Sequence, residues 1–461
     1  MVKPIIRSTI IYLFSSIPFQ ILNFVGSVFL ARLLSPEHFG LITLALVGRE
    51  WLSFLVGWST SQYFILGSGT QEEFEESLTA ALLAGLLISI IGIGIYLLSE
   101  SFGSQKFYLI LMIVCASEGV IFMAQSLLAP MERNLELFKL SMIRNGCATL
   151  SLILAILLAV SSPSIWPLVI REFSLSLLML LAGFWFCDFR LKININKFRK
   201  NGFELIKYGY SLNFSRAAEI LFYRMPDVII AKLFGVSLTG QFTQARTFLM
   251  IVLKLPNTVL EQVLFTSLVN LKTEKKSDEY FYLVEVFTSR FMLMCSWLFA
   301  LLGPLIFIWI FGDKWLTASL LLPHLSAFIF FAALFNALQV YFYSLRNQTL
   351  VTLSYSIGIL FFISFVLSSL SSSEITDIAA GLSWSMGVSC TALNIFGFIK
   401  GYKIPIVRVF WLPIMSIVAF FWFNLSIDLY DQNFITFLII LFIISLFEVF
   451  LVSKKVLKAL T

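Results

Sequence analysis

Charged and hydrogen-bonding side chains set inside long apolar runs are the residues of this chain best equipped for chemistry. Asn213, Arg216, Glu219, Tyr223, Arg224 and Asp227 fall within an arc of roughly 140° on a helix. Apolar Phe214, Ala218, Leu221, Met225 and Val228 take the other side. Thr243, Arg246, Lys254, Asn257 and Glu261 share roughly 80°, with Pro256 removing a backbone donor among them. Nearer the N-terminus, Gln20 and Asn23 continue a stripe with Ser16 and Ser27. Arg49 and Glu50 are adjacent, so on a helix they diverge and must find different partners.

An ionised side chain inside a membrane costs at least ~2.5–3.5 kcal/mol and faces a cavity or a partner. Guanidinium groups in a cavity would hold phosphate through paired donors. Asn, Gln and Tyr would meet sugar hydroxyls. A ligand with an anionic head and an apolar tail, such as a lipid-linked sugar, satisfies both demands. Glu50, Glu219, Asp227 and Glu261 are candidates for pairing with these arginines or for ion coupling. The competing interpretation is interhelical ion pairs that hold the lobes together; Glu118 with Gln125 would pair within a bundle, and Arg171 with Glu172 would simply lie near the outer surface.

The elements that must position these groups are transmembrane helices. Hydrophobic residues make up 59% of the 461 and charged residues 13%, against about 45–50% and 25% in soluble proteins. At about 20 apolar residues per span, the chain reads as an all-α polytopic membrane protein of about 14 transmembrane helices. The first span follows Lys3 and Arg7, and the second runs over roughly 40–66. The seventh and eighth cover roughly 208–231 and 240–265, and the last pair lies beyond 400. With the N-terminus inside, 22 of the 32 Lys and Arg residues fall in inner segments and 4 in outer ones. That bias predicts both termini in the cytoplasm. It also excludes nucleic acid as a partner, because the positive charge is topological.

Laid 200 residues apart, Val28–Ala45 and Val228–Ala245 match at six positions, including Gly40/Gly240 and Thr43/Thr243. Both segments are hairpins between an odd span and the next. Six spans lie between them, which predicts two parallel six-helix lobes around a central cavity. The expected organisation is an N-terminal lobe over 1–190, a basic cytoplasmic linker over 191–207, a second lobe over 208–400 and a terminal helix pair over 401–461.

Other classes fit poorly. The outer connections, such as Ala31–Phe39, are too short for a glycosyltransferase or polymerase site, and a single mid-span histidine, His324, argues against an acyltransferase. No G-x-x-x-x-G-K-[ST] loop exists for a primary pump. Five scattered cysteines without a C-x-x-C, and two histidines, predict no metal and no cofactor. An enzyme is not expected.

The hairpin ARLLSPEHFG with LITLA, and the later strings MPDVIIAKLFGVSLTGQFTQARTF and LGPLIFIWIFGDKW, resemble the polysaccharide transporters of the multidrug/oligosaccharidyl-lipid/polysaccharide (MOP) flippase superfamily. Its Wzx-type O-antigen flippases are included. The resemblance covers essentially the whole chain through loose Leu, Gly and Pro patterns. It implies alternating access to a cationic cavity that moves undecaprenyl-pyrophosphate-linked oligosaccharide to the outer leaflet of the bacterial cytoplasmic (inner) membrane. The products would be surface glycans such as O-antigen lipopolysaccharide or exopolysaccharide. Membrane lipids and polysaccharide polymerase or export machinery would be partners. Cavity positions carried across are Arg49, Arg216, Arg224 and Arg246, with Asp227 before the second hairpin. A drug or metabolite exporter of the same superfamily, like the MATE transporters, is the alternative.

Overall fold

The computed structural model describes residues 2–99, 105–134, 136–259, 277–345, 347–368 and 374–400. The side chains of residues 2–17, 211–216 and 255–284 are not among those described. The expected terminal helix pair lies outside the described residues.

The helices are α1 (Val2–Leu33), α2 (Pro36–Val56), α3 (Thr60–Leu66), α4 (Gln71–Leu98), α5 (Gln105–Arg133), α6 (Leu137–Ser161) and α7 (Trp166–Phe186). They continue as α8 (Ile195–Phe234), α9 (Val236–Val259), α10 (Ser277–Phe311), α11 (Leu316–Ser344), α12 (Gln348–Ser368) and α13 (Ile375–Ile399). Among the described residues, 9 helices are long and apolar enough to cross a membrane. The chain is an all-α polytopic membrane protein. Helices α8 and α9 are long enough but too polar to count among the nine, because they carry the charged faces read from the sequence.

The described residues gather into two compact units, one of residues up to 220 together with 235–240, the other of 221–234 and those from 241 onward. In the first, α4 packs along α5, α5 along α7, and α1 along α6. Leu30, Ile42, Ile110, Leu152 and Leu168 bring α1, α2, α5, α6 and α7 into one apolar core. Helices α4 and α5 touch backbone to backbone: a Cβ at Gly85 would stand 2.6 Å from the Gly119 carbonyl oxygen. Close approach through small residues is how helices gain contact in lipid, where apolar burial offers little net drive. In the second unit α11 packs against α10 and α13, and α12 against α13. Helix α11 lies at the centre, with 83% of its most apolar window buried. A helix apolar on every side belongs there.

The 200-residue offset reappears in the helix ends. Helix α2 starts at Pro36 and α9 at Val236, each just after the end of the preceding helix. Within the first unit the two starts meet reciprocally. A Cβ at Gly40 would collide with the Val236 carbonyl oxygen, and one at Gly240 with the Pro36 carbonyl oxygen. Matched glycines thus allow the matched helix starts to cross.

Two boundaries differ from the sequence reading. The single second span expected over roughly 40–66 is two helices, α2 and α3, broken at Gly57–Ser59. Ser59 there has φ 48°, in the left-handed region. The helices on either side of the break are held from outside, and at the end of α2 Tyr210 of α8 donates to the Leu55 carbonyl at 2.6 Å. Arg133 donates to the carbonyls of Phe64, Ile65 and Gly67 at 3.0, 2.8 and 2.6 Å, capping the end of α3. The Ser77 hydroxyl donates to the Thr60 carbonyl at 2.8 Å. The basic segment after Cys187 is itself helical from Ile195, because α8 runs unbroken to Phe234. Gly202, Leu205 and Gly209 are buried at helical spacing along it.

Candidate functional site

Each unit carries its own intramembrane charges. In the first, Arg49 of α2 reaches two acids on different helices. Its Nε lies 3.4 Å from Glu118 of α5, and its Nη1 3.5 Å from Glu172 of α7. The three side chains remain 15–22% exposed. Buried Nε has an ion pair but no hydrogen bond, so the contacts are loose. Ser53 donates to the other oxygen of Glu118 at 3.1 Å. Glu118 therefore pairs with Arg49 and Ser53, not with Gln125, and Glu172 points inward to Arg49.

In the second unit the contacts are tight. Asp227 is fully buried and accepts from Arg246 Nη2 at 2.7 Å. Arg246 Nη1 donates to the Tyr223 carbonyl, also at 2.7 Å. The guanidinium sits 5.5 Å from the Phe242 ring centroid, a cation–π contact. Pro226 of α8 stands in the same turn and has no N–H for the neighbouring Phe222 carbonyl. Arg224 is 3.8 Å from the same Asp227 oxygen, and its side chain is 27% exposed. Of the two arginines within reach of Asp227, the one on the neighbouring helix holds it.

The other expected site residues scatter. Asn23 donates to Thr149 of α6 at 3.4 Å and to its own Phe19 carbonyl at 2.8 Å, so it serves the α1–α6 seam. Gln20 and Glu219 are half-buried, and Lys254 is exposed. Tyr223 packs edge-on against Phe328, with ring centroids 6.0 Å apart. The side chains of Asn213, Arg216 and Asn257, and all of Glu261, lie outside the described residues. Among the described residues, no group of three or more His, Cys, Asp or Glu could hold a metal.

A polar cavity in the first unit escaped the sequence reading. It occupies about 220 Å³ at the α2–α3 break, between Glu50 and Phe54 of α2, Trp58 at the break, Gln62 of α3, and Glu118, Phe122 and Gln125 of α5. Residues 118, 122 and 125 follow the helical 4-3 spacing, as do 50, 54 and 57. Gly57 followed by the polar run from Ser59 to Gln62, inside an apolar span, was the signal available.

The fold and these buried charges define a class: a multi-pass helical protein built to keep ionised groups inside a bilayer. The family profile described as "Polysaccharide biosynthesis protein" matches residues 29–320, and the chain belongs to that family. It is 24% identical over 308 residues to the succinoglycan biosynthesis transport protein ExoT of Rhizobium meliloti (strain 1021), covering 64% of this chain. The match spans 60% of that relative's length. Among solved structures, the lipid II flippase MurJ in an inward closed conformation superposes with a TM-score of 0.68 at 14% identity, over 98% of this chain and 99% of that one. A multidrug resistance MATE transporter of the MOP superfamily, inward-facing, gives 0.62 at 13% identity, over 88% and 98%. At such identities the likeness is one of fold.

Proposed function

We propose that the chain is a flippase, a transporter and not an enzyme, that carries a polyprenyl-pyrophosphate-linked oligosaccharide across the bacterial cytoplasmic membrane. The polysaccharide biosynthesis family supplies the glycan, and the transport role of the succinoglycan relative and the flippase fold supply the movement. Succinoglycan transport and lipid II flipping belong to those proteins; the shared element taken over is a lipid-linked glycan. The observation that carries the reading is Arg224, a guanidinium on the charged helix α8 with 27% of its side chain exposed. A cation held in lipid yet accessible suits a ligand whose phosphates travel through the bilayer.

In this reading the lobes are 1–190 and 208–400, the basic segment 191–207 and both termini face the cytoplasm, and residues 401–461 add two spans. Arg216 and Arg224 contact the pyrophosphate, and Asp227 with Arg246 fixes α8 against α9. Depleting the protein in its native bacterium should stop surface glycan while the lipid-linked precursor accumulates. Loss of glycan without precursor accumulation would reject the flippase. The exporter reading, favoured by the MATE likeness, expects drug sensitivity to rise with glycan unchanged.

A further inference from the structure

The cavity at the α2–α3 break differs chemically from the arginine sites. Two carboxylates, Glu50 and Glu118, and two amides, Gln62 and Gln125, line it alongside the rings of Trp58 and Phe122. Gln125 is exposed on a membrane helix and has no hydrogen-bond partner among the described residues. Phosphate finds no partner here, since neither lysine nor arginine is among the lining residues. A monovalent or divalent cation fits poorly too. Glu118 is already partnered by Arg49 at 3.4 Å, and three aromatic rings, counting Phe54, give a hard cation no ligands. What does match is a pyranose ring. Its hydroxyls donate to carboxylates and both donate to and accept from amides, while its C–H face lies on an aromatic ring. A volume of about 220 Å³ holds one sugar residue and not a chain.

We propose that this cavity is the glycan subsite of the transporter and selects an uncharged sugar of the lipid-linked head group, with Trp58 as the stacking platform and Gln125 and Glu50 as hydroxyl partners. The proposal rests on the flippase reading above and adds to it a division of labour: arginines take the phosphates and this acid–amide pocket takes the sugar. Uronic acids are rejected, because no lysine or arginine among the lining residues would meet their carboxylate.

The test uses the full-length chain in lipid nanodiscs, titrated with bare undecaprenyl pyrophosphate and with its glucosyl, galactosyl, N-acetylglucosaminyl and glucuronosyl forms, binding being read by native mass spectrometry. At least one neutral-sugar lipid should bind about tenfold more tightly than the bare lipid, the worth of one well-made amide–hydroxyl hydrogen bond. The glucuronosyl lipid should bind no better than the bare one. Gln125→Leu and Trp58→Ala should each cut the preference to below about threefold. Trp58 also stacks on Phe198, so if its variant fails to fold, the exposed Gln125 carries the test. A wild type that ignores the sugar overturns the subsite, as does a preference that survives Gln125→Leu or one for the glucuronosyl lipid. If the variants alter only sodium or pH dependence while sugar preference persists, the cavity is a cation site and the proposal falls. Failure of every lipid, the bare one included, rejects the flippase reading itself; binding without discrimination rejects the subsite alone.

Discussion

Arg49 and Arg246 are both arginines inside membrane helices, and their surroundings are opposite. Arg49 stands between two acids at 3.4 and 3.5 Å, partly wet, with Nε unsatisfied. Arg246 has one acid at 2.7 Å, a carbonyl at 2.7 Å and a ring, and only 8% of its side chain is exposed. The first arrangement spreads one positive charge over two carboxylates, so losing one contact leaves another. The second concentrates everything on Asp227, which has no access to solvent. Loose networks can exchange partners during a transport cycle; a dry, saturated pair is architecture. Charge inside a membrane is therefore no single signal of ligand binding.

Breaking the dry pair should have the largest effect. Asp227→Ala strands a buried guanidinium and should cost about 3–5 kcal/mol, seen as a collapse of protein level in membranes and of the melting temperature in detergent. A variant with normal stability would show that Arg246 finds water or another partner, and the contrast with Arg49 would vanish. Replacing both members, Asp227→Leu with Arg246→Met, sharpens the comparison. Most of the lost stability should return, within about 1–2 kcal/mol of wild type, because the buried guanidinium goes with its acid and Arg224, which also loses Asp227, keeps access to solvent. Melting curves of the single and double variants form the cycle that measures the coupling.

Glu172→Gln should be far milder, about 1 kcal/mol or less, since Arg49 keeps Glu118 and some solvent. Equal damage from Glu172→Gln and Asp227→Ala would erase the distinction between the two networks. Smallest in stability is Arg224→Ala, expected within about 0.5 kcal/mol of wild type, yet export of surface glycan should be lost. Arg224→Lys should keep part of it, because a point charge replaces a planar fork. Normal export from Arg224→Ala would move the phosphate contact elsewhere.

Much of this protein was legible without coordinates. Its composition, far too apolar and too poor in charge for water, leaves helices as the way to satisfy the backbone of a chain with no alternating strand pattern. The 200-residue offset placed equivalent hairpins whose helices start at Pro36 and Val236, and Gly40 and Gly240 proved to be mutual crossing points. Helical periodicity also identified α8 and α9 as the charged helices. Periodicity stops at the face of a helix, however. It cannot say which neighbour that face meets. Asp227 had Arg224 one turn away, within reach of any helix, but the fold brings Arg246 of α9 closer, at 2.7 Å. Glu118 and Glu172 lie far from Arg49 in the chain, and only the convergence of α5 and α7 on α2 brought both to it. The α2–α3 break is likewise tertiary. Gly57–Ser59 sits in a run apolar enough to read as continuous helix, and the interruption is supported by Tyr210 and Ser77, from other helices, which donate to the Leu55 and Thr60 carbonyls on either side of it. Local sequence set which groups needed partners. Long-range packing chose the partners, because a desolvated charge or carbonyl takes whichever complementary group the folded helices bring nearest.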